Sequence, residues 1–233
     1  LEKSIRSYNV DINQGALNLN GLYNLPVTNS YSFFTNDNVT RLIVSGFNNS
    51  RLNIQVLDIS STYSFTKLFD FEIPHNFIPY ASDLPSITSL SMNSTGSLMA
   101  VIIGVRTENY PQTIREYKAI IYTVGQETLV KKQEMDLPSF SGSNSPYMSA
   151  PQMILNESGD KIFFSDASGY QAGGFWNVYN ISSSEFIPIG GGNYDYPMNY
   201  YNAGGAYINR IYNWRNNLVF GDYGTVLYIK KIE

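Results

Sequence analysis

Four stretches of this chain share one pattern: an apolar strand, a short turn opened by Asn, and a second apolar strand. They are YSFFTNDNVTRLIVSG (residues 31–46), ITSLSMNSTGSLMAVIIG (87–104), APQMILNESGDKIFFSD (150–166) and YINRIYNWRNNLVFGD (207–222). The turns open at Asn36, Asn93, Asn156 and Asn213, so successive copies stand 57, 63 and 57 residues apart. A near-constant interval of this size marks a repeated supersecondary unit, which buries its apolar faces only by packing on its neighbours.

A third strand follows in every copy, at LNIQVLDI (52–59), YKAIIYTV (117–124), FWNVYNI (175–181) and TVLYIKKI (225–232). Branched and aromatic residues dominate these segments, as buried or half-buried strands require. A more polar fourth strand follows in three copies, at FTKLFDFEI (65–73), TLVKKQEMDL (128–137) and SEFIPI (184–189). The last copy has none. The N-terminal segment SIRSYNVDI (4–12) has no hairpin partner of its own in this reading, and it is expected to complete the last unit by pairing with residues 225–232. Radial repetition with interlocked termini protects sheet edges. The expected fold is therefore all-β, a single domain over 1–233, a propeller of about four four-stranded antiparallel blades. The units run over 31–74, 87–137, 150–189 and 206–233, with 4–12 completing the last. A β-sandwich with strands at similar spacing is the alternative, as is a share in a larger propeller.

The succession of apolar strand, Gly-containing turn, apolar strand and Ile-Tyr-rich strand resembles the WD40-like and TolB-like β-propeller repeats. NESGDKIFF (156–164) with FWNVYNI, and NSTGSLMAV (93–101) with AIIYTV, carry that resemblance. Gly96 and Gly159 occupy the turn position that suits a positive φ, and Asn216 tolerates it. Val39 in the first copy does not fit, and the Pro-Asp turn and the Gly-His and Trp-Asp marks of true WD40 blades are absent. The resemblance implies an architecture and no particular activity.

The formal net charge is -4, and the only basic pairs are Lys131-Lys132 and Lys230-Lys231, so nothing here suits a nucleic-acid backbone. No apolar run is long enough for a transmembrane helix, and the start at Leu1 shows no signal peptide, as expected of a soluble mature chain or an excised domain. The absence of cysteine excludes disulfides and thiol chemistry. A polar, uncharged, Tyr-rich composition leads us to expect an exported or surface-displayed protein.

In a meander, turns between first and second strands share a face with those between third and fourth. Five glycosylation sequons occur, and Asn38, Asn93, Asn156 and Asn180 fall on that face while Asn48 falls on the other. The other face receives the long connections, 76–86, 105–116, 138–150, 167–174 and 190–205. These carry Tyr80, Tyr110, Tyr147, Tyr170, Tyr194, Tyr196, Tyr200 and Tyr201. Tyrosine offers apolar area and a hydroxyl at low entropic cost, so such a cluster suits glycan stacking or protein contact, or packs the loops onto the blades.

Catalytic chemistry has few candidates. His75 is the only histidine and follows Pro74 at a strand end, where a solvated loop position is expected. The run Gly190 to Gly192 lacks a following Lys-Ser/Thr and reads as a flexible connection. Asp83, Asp166, Asp195 and Asp222 lie towards the loop-rich face, where paired carboxylates would suit glycoside hydrolysis, or where they serve turns. SDASGYQAGGFW (165–176) resembles a sialidase Asp-box only faintly, with too long a spacing to Trp176. A single histidine excludes a His-rich metal site, and calcium binding through Asp166 or Asp195 with loop carbonyls lacks an EF-hand-like spacing, so no metal and no cofactor is expected. The expected function is noncatalytic binding of a glycan or protein. A carbohydrate-active hydrolase and a structural subunit of a cell-surface or virion assembly are the alternatives.

Overall fold

In the computed structural model, the described residues are 4–25, 31–48, 51–76, 85–109, 112–141, 151–166, 175–181, 187–193, 208–214, 217–222 and 227–231. They hold seventeen strands and no helix. An N-terminal hairpin comprises β1 (Ser4–Asp11) and β2 (Ala16–Asn24). Sheet 1 follows with β3 (Tyr31–Thr35), β4 (Arg41–Asn48), β5 (Arg51–Ile59) and β6 (Phe65–Glu72). Sheet 2 holds β7 (Ser86–Met92), β8 (Leu98–Asn109), β9 (Gln112–Val124) and β10 (Leu129–Ser141). Sheet 3 holds β11 (Gln152–Leu155), β12 (Lys161–Asp166), β13 (Phe175–Asn180) and β14 (Ile187–Asn193), and sheet 4 holds β15 (Ile208–Trp214), β16 (Asn217–Asp222) and β17 (Leu227–Lys231). Every sheet is an antiparallel meander in chain order.

Sheets 1, 2 and 3 pack face to face, and the side-chain period of two decides which residue meets which neighbour. Ile43, Ile54, Val56 and Phe69 of sheet 1 meet Met99, Val101, Ile103, Ile120 and Tyr122 of sheet 2. The intervening residues of sheet 2, Ala100, Ile102, Ala119 and Ile121, meet Met153, Leu155, Ile162 and Phe164 of sheet 3. Both faces of sheet 2 are covered, so β8 opens on the unbroken apolar run Leu98 to Ile103 where a one-sided strand would alternate. Each fully buried aliphatic or aromatic side chain contributes about 1.5–3 kcal/mol. The first strands of successive sheets, β3, β7, β11 and β15, also lie beside one another. Repeated meanders stacked by their faces around neighbouring first strands are the architecture of propeller blades.

The N-terminal segment departs from expectation. β1 has a partner of its own, pairing with β2 from Ser4↔Asn24 to Asp11↔Ala16, with a bulge after Ser7. The expected pairing with 225–232 is not among the strand pairs of the described residues, and there β17 pairs with β16. The hairpin lies against sheet 1, where Ile5 and Tyr23 pack on Leu42, Val44, Leu57 and Ile59.

Two other expectations change. Gly190 to Gly192 belong to β14, opposite Val178, Asn177 and Trp176, because ladder hydrogen bonds need only backbone and glycine is tolerated at the edge of a sheet. The connections expected over 105–116 and 138–150 are in part strand: β8 pairs with β9 out to Asn109↔Gln112, and β10 follows to Ser141↔Ile114. The strands of sheet 2 thus run well past the body of the sheet on the side where the long connections leave.

Candidate functional site

The two ends of the sheet stack use their residues differently. At one end lie the Asn-opened turns between first and second strands. In the first three, the Asn backbone carbonyl accepts the N–H three residues on: Val39 to Asn36 at 2.9 Å, Gly96 to Asn93 at 3.0 Å and Gly159 to Asn156 at 3.1 Å. The Asn side-chain Oδ1 accepts the N–H five residues on, from Arg41 at 2.8 Å, Leu98 at 2.9 Å and Lys161 at 3.0 Å. Its Nδ2 donates to the side chain four residues on, Thr40 Oγ1, Ser97 Oγ or Asp160 Oδ1. One amide therefore satisfies both strands of the turn, which is why Asn stands at the head of these three copies. Hydrogen bonds from Ser158 and Asn156 hold the Asp160 carboxyl below its ordinary value, against the effect of burial.

The turns are also tied to one another. Asn36 Nδ2 donates to the Ser94 carbonyl at 2.6 Å, and Ser94 donates its N–H and its hydroxyl to the Glu157 carbonyl at 3.0 and 2.9 Å. Gly96 has φ +69 and Gly159 φ +77, and a Cβ on either would run into the preceding copy, at Arg41 and at Leu98 respectively. Val39 takes the same left-handed conformation, φ 53, and stands exposed. Its side chain finds room in solvent although its backbone is strained.

Of the sequons, Asn93 is buried and its Nδ2 donates to Thr95 and Ser97, and the Asn156 amide is likewise bonded within its turn. Asn38 is exposed in the first turn, Asn180 is half-buried at the end of β13, and Asn48 ends β4.

At the other end, β12 finishes at Asp166 opposite Phe175, and β16 finishes at Asp222 opposite Ile208. The two aspartates thus hold equivalent places at the ends of second strands. Asp83, Asp195 and all eight tyrosines, Tyr80, Tyr110, Tyr147, Tyr170, Tyr194, Tyr196, Tyr200 and Tyr201, lie outside the described residues. His75 is half-buried after Pro74. Among the described residues no three His, Asp or Glu side chains gather in a way that could hold a metal ion, and no helix is long and apolar enough to cross a membrane.

One polar cluster had no signal in the sequence. Tyr23 of the hairpin donates to Gln55 Oε1 at 3.3 Å, Gln55 donates to Asp70 Oδ1 at 2.7 Å, and Lys67 Nζ reaches Asp70 Oδ2 at 2.7 Å. Burial opposes ionisation of Asp70, yet the bonds from Lys67 and Gln55 hold its carboxyl below the ordinary value. The chain of contacts joins β2, β5 and β6 across a segment the repeat does not include, so only the folded register brings it together. It serves to seat the hairpin on sheet 1.

No protein-family model matches this chain, and no curated protein matches it. Among solved structures, the chain is similar to the β-propeller domain of the trilobed protease from Pyrococcus furiosus, described as having an open velcro topology. The identity there is 12% and the TM-score 0.47, over 98% of this chain and 61% of that one. The Dos1 propeller matches at 11% identity and TM-score 0.44, over 98% and 62%. TolB from Acinetobacter baumannii matches at 11% and 0.38, over 95% and 48%. The chain spans about three-fifths of the length of the first two. The fold, read from its own sheets, is that of propeller blades.

Proposed function

We propose that this chain is a noncatalytic binding module that recognises a glycan or a protein through the loop-rich end of its sheets, on an exported or surface-displayed protein. The asymmetry between the two ends carries this reading. At the turn end the side-chain amides of Asn36, Asn93 and Asn156 are engaged within their own turns, and Asn36 reaches the neighbouring turn at Ser94. At the loop end β8, β9 and β10 run on beyond the body of sheet 2, and long connections leave after β10, β12 and β14. Binding residues concentrate in loops that a rigid scaffold positions. Six of the eight tyrosines, Tyr147, Tyr170, Tyr194, Tyr196, Tyr200 and Tyr201, supply aromatic faces and hydroxyls in those connections, and Tyr80 and Tyr110 belong to the connections after β6 and β8.

Replacing Tyr194, Tyr196, Tyr200 and Tyr201 by Ala removes four rings from the longest of these connections. Loss of retention on a glycan array and in pull-downs from surface extracts, with unchanged circular dichroism, supports the module. Asp166→Asn separates it from the hydrolase alternative. A binding module keeps its retention and releases no sugar before or after the change. A wild-type chain that cleaves glycans and loses that turnover in Asp166→Asn overturns the reading.

A further inference from the structure

The hairpin β1–β2 is sided. Ile5, Ser7 and Tyr23 turn towards sheet 1, where Ser7 Oγ donates to the Tyr63 carbonyl and Ile5 and Tyr23 join the apolar cluster. The opposite face is apolar and open. Tyr8, Val10, Ile12, Leu17, Leu19 and Leu22 supply six of the ten exposed large hydrophobic side chains among the described residues. Val10 is 67% exposed, Leu17 66% and Ile12 88%. They are contiguous, because Tyr8 pairs with Leu19 and Val10 with Leu17 across the two strands. The bulge after Ser7 sets this register: one extra residue on β2, Asn20, lets Leu17 and Leu19 share a face with Leu22. Arg6, paired with Leu22, is the one charged residue on this face among the described residues, and it lies at the end away from the turn.

We propose that this face is the contact of a two-fold dimer, its occupant being the same face of a second copy of the chain. The exposed area of the six side chains is on the order of 600 Å², at the upper limit of what single soluble chains leave uncovered. Two such faces brought together bury roughly 1,200 Å², which reaches the lower bound of specific interfaces. A two-fold contact needs only one self-complementary patch per chain, and six uncharged side chains meet their own copy with Arg6, beside Leu22, at the rim. The hairpin packs its other face on sheet 1 as sheets 1, 2 and 3 pack on one another, so a second sheet face at the usual spacing of about 10 Å repeats the packing already used inside the chain.

Sedimentation equilibrium of the full chain across a hundredfold concentration range tests this. The expected result is a species of twice 26.2 kDa in equilibrium with the single chain. Val10→Lys with Leu19→Lys is expected to weaken association on the order of 100-fold or more by placing charge in the contact. Cysteines introduced one at a time into this cysteine-free chain give a readout independent of that pair's folding. Leu17→Cys is expected to cross-link between copies with a short bismaleimide, and Asn18→Cys, on the opposite face, is not. A single-chain mass at every concentration, growth beyond two copies, or equal cross-linking from both positions overturns the proposal.

Discussion

Val39 and Tyr122 each carry a local cost that the surrounding structure sustains, and each gives a stability prediction. A β-branched residue in the left-handed region costs about 1–2 kcal/mol, and Val39 sits there at φ 53 with its side chain in solvent. Val39→Asn, the residue type of the fourth copy, is expected to raise stability by about 1 kcal/mol, a gain of about 2–4 °C in Tm for a chain this long. An unchanged Tm would show that no strain is held there. Tyr122 lies between sheets 1 and 2, edge-on to Phe71, and its buried hydroxyl has no hydrogen-bond partner among the described residues. Burial, with the nearby Glu134 charge, pushes that hydroxyl up to about 12 from an ordinary value of 10.0. The folded state therefore favours the neutral phenol, and its contribution is complete below pH 10 and is lost as pH rises through 12. Tyr122→Phe should be neutral or slightly stabilising at pH 7 and should flatten the fall in Tm measured above pH 10. An identical alkaline profile in both proteins would contradict this. The turn Asn at the head of each copy was legible in the sequence because one side chain does the same work three times. Val39 looked like a misfit because its identity reveals its strain and hides its conformation.

At the scale of elements, side chain to backbone bonds bind one sheet to the next. Ser89 Oγ accepts the Met153 N–H at 3.0 Å and donates to the Met153 carbonyl at 3.2 Å, and Ser91 Oγ accepts the Leu155 N–H at 2.9 Å. The four-residue β11 is thus held to β7 as well as to β12. Ser89→Ala with Ser91→Ala leaves two part-buried N–H groups without these acceptors, each worth about 1–3 kcal/mol. Urea unfolding should show a loss of about 2–6 kcal/mol, and a loss under 0.5 kcal/mol would mean that water replaces the serines. The alternation Ser, Leu, Ser, Met over 89–92 was visible as a strand, but its hydroxyls could not be assigned to a neighbour before the packing of sheets was known. The same limit hid β2. Its apolar residues Leu17, Leu19 and Leu22 change spacing across the bulge, so a strict period of two misses a strand that a single unpaired residue realigns. Gly190 to Gly192 misled for the opposite reason, since a ladder at the end of a meander needs no side chain to form.

For the whole molecule, the all-β architecture and the four repeated meanders were legible because the interval between turns repeats and because both-sided burial leaves unbroken apolar runs such as Met99 to Ile103. The setting of the N-terminal hairpin on sheet 1 was not, because it depends on Ile5 and Tyr23 meeting Leu42 and Leu57 rather than on any pattern within the segment. The functional reading belongs to this scale too, since it rests on one end of the stack being closed by its turns and the other carrying the long connections. The most direct test is retention of the full chain on a combined glycan and protein array, beside the variant with Tyr194, Tyr196, Tyr200 and Tyr201 changed to Ala. Our account predicts selective retention by the wild-type chain and at least a tenfold loss in the variant at unchanged Tm. Equal retention by both, or no selective retention by either, would contradict it.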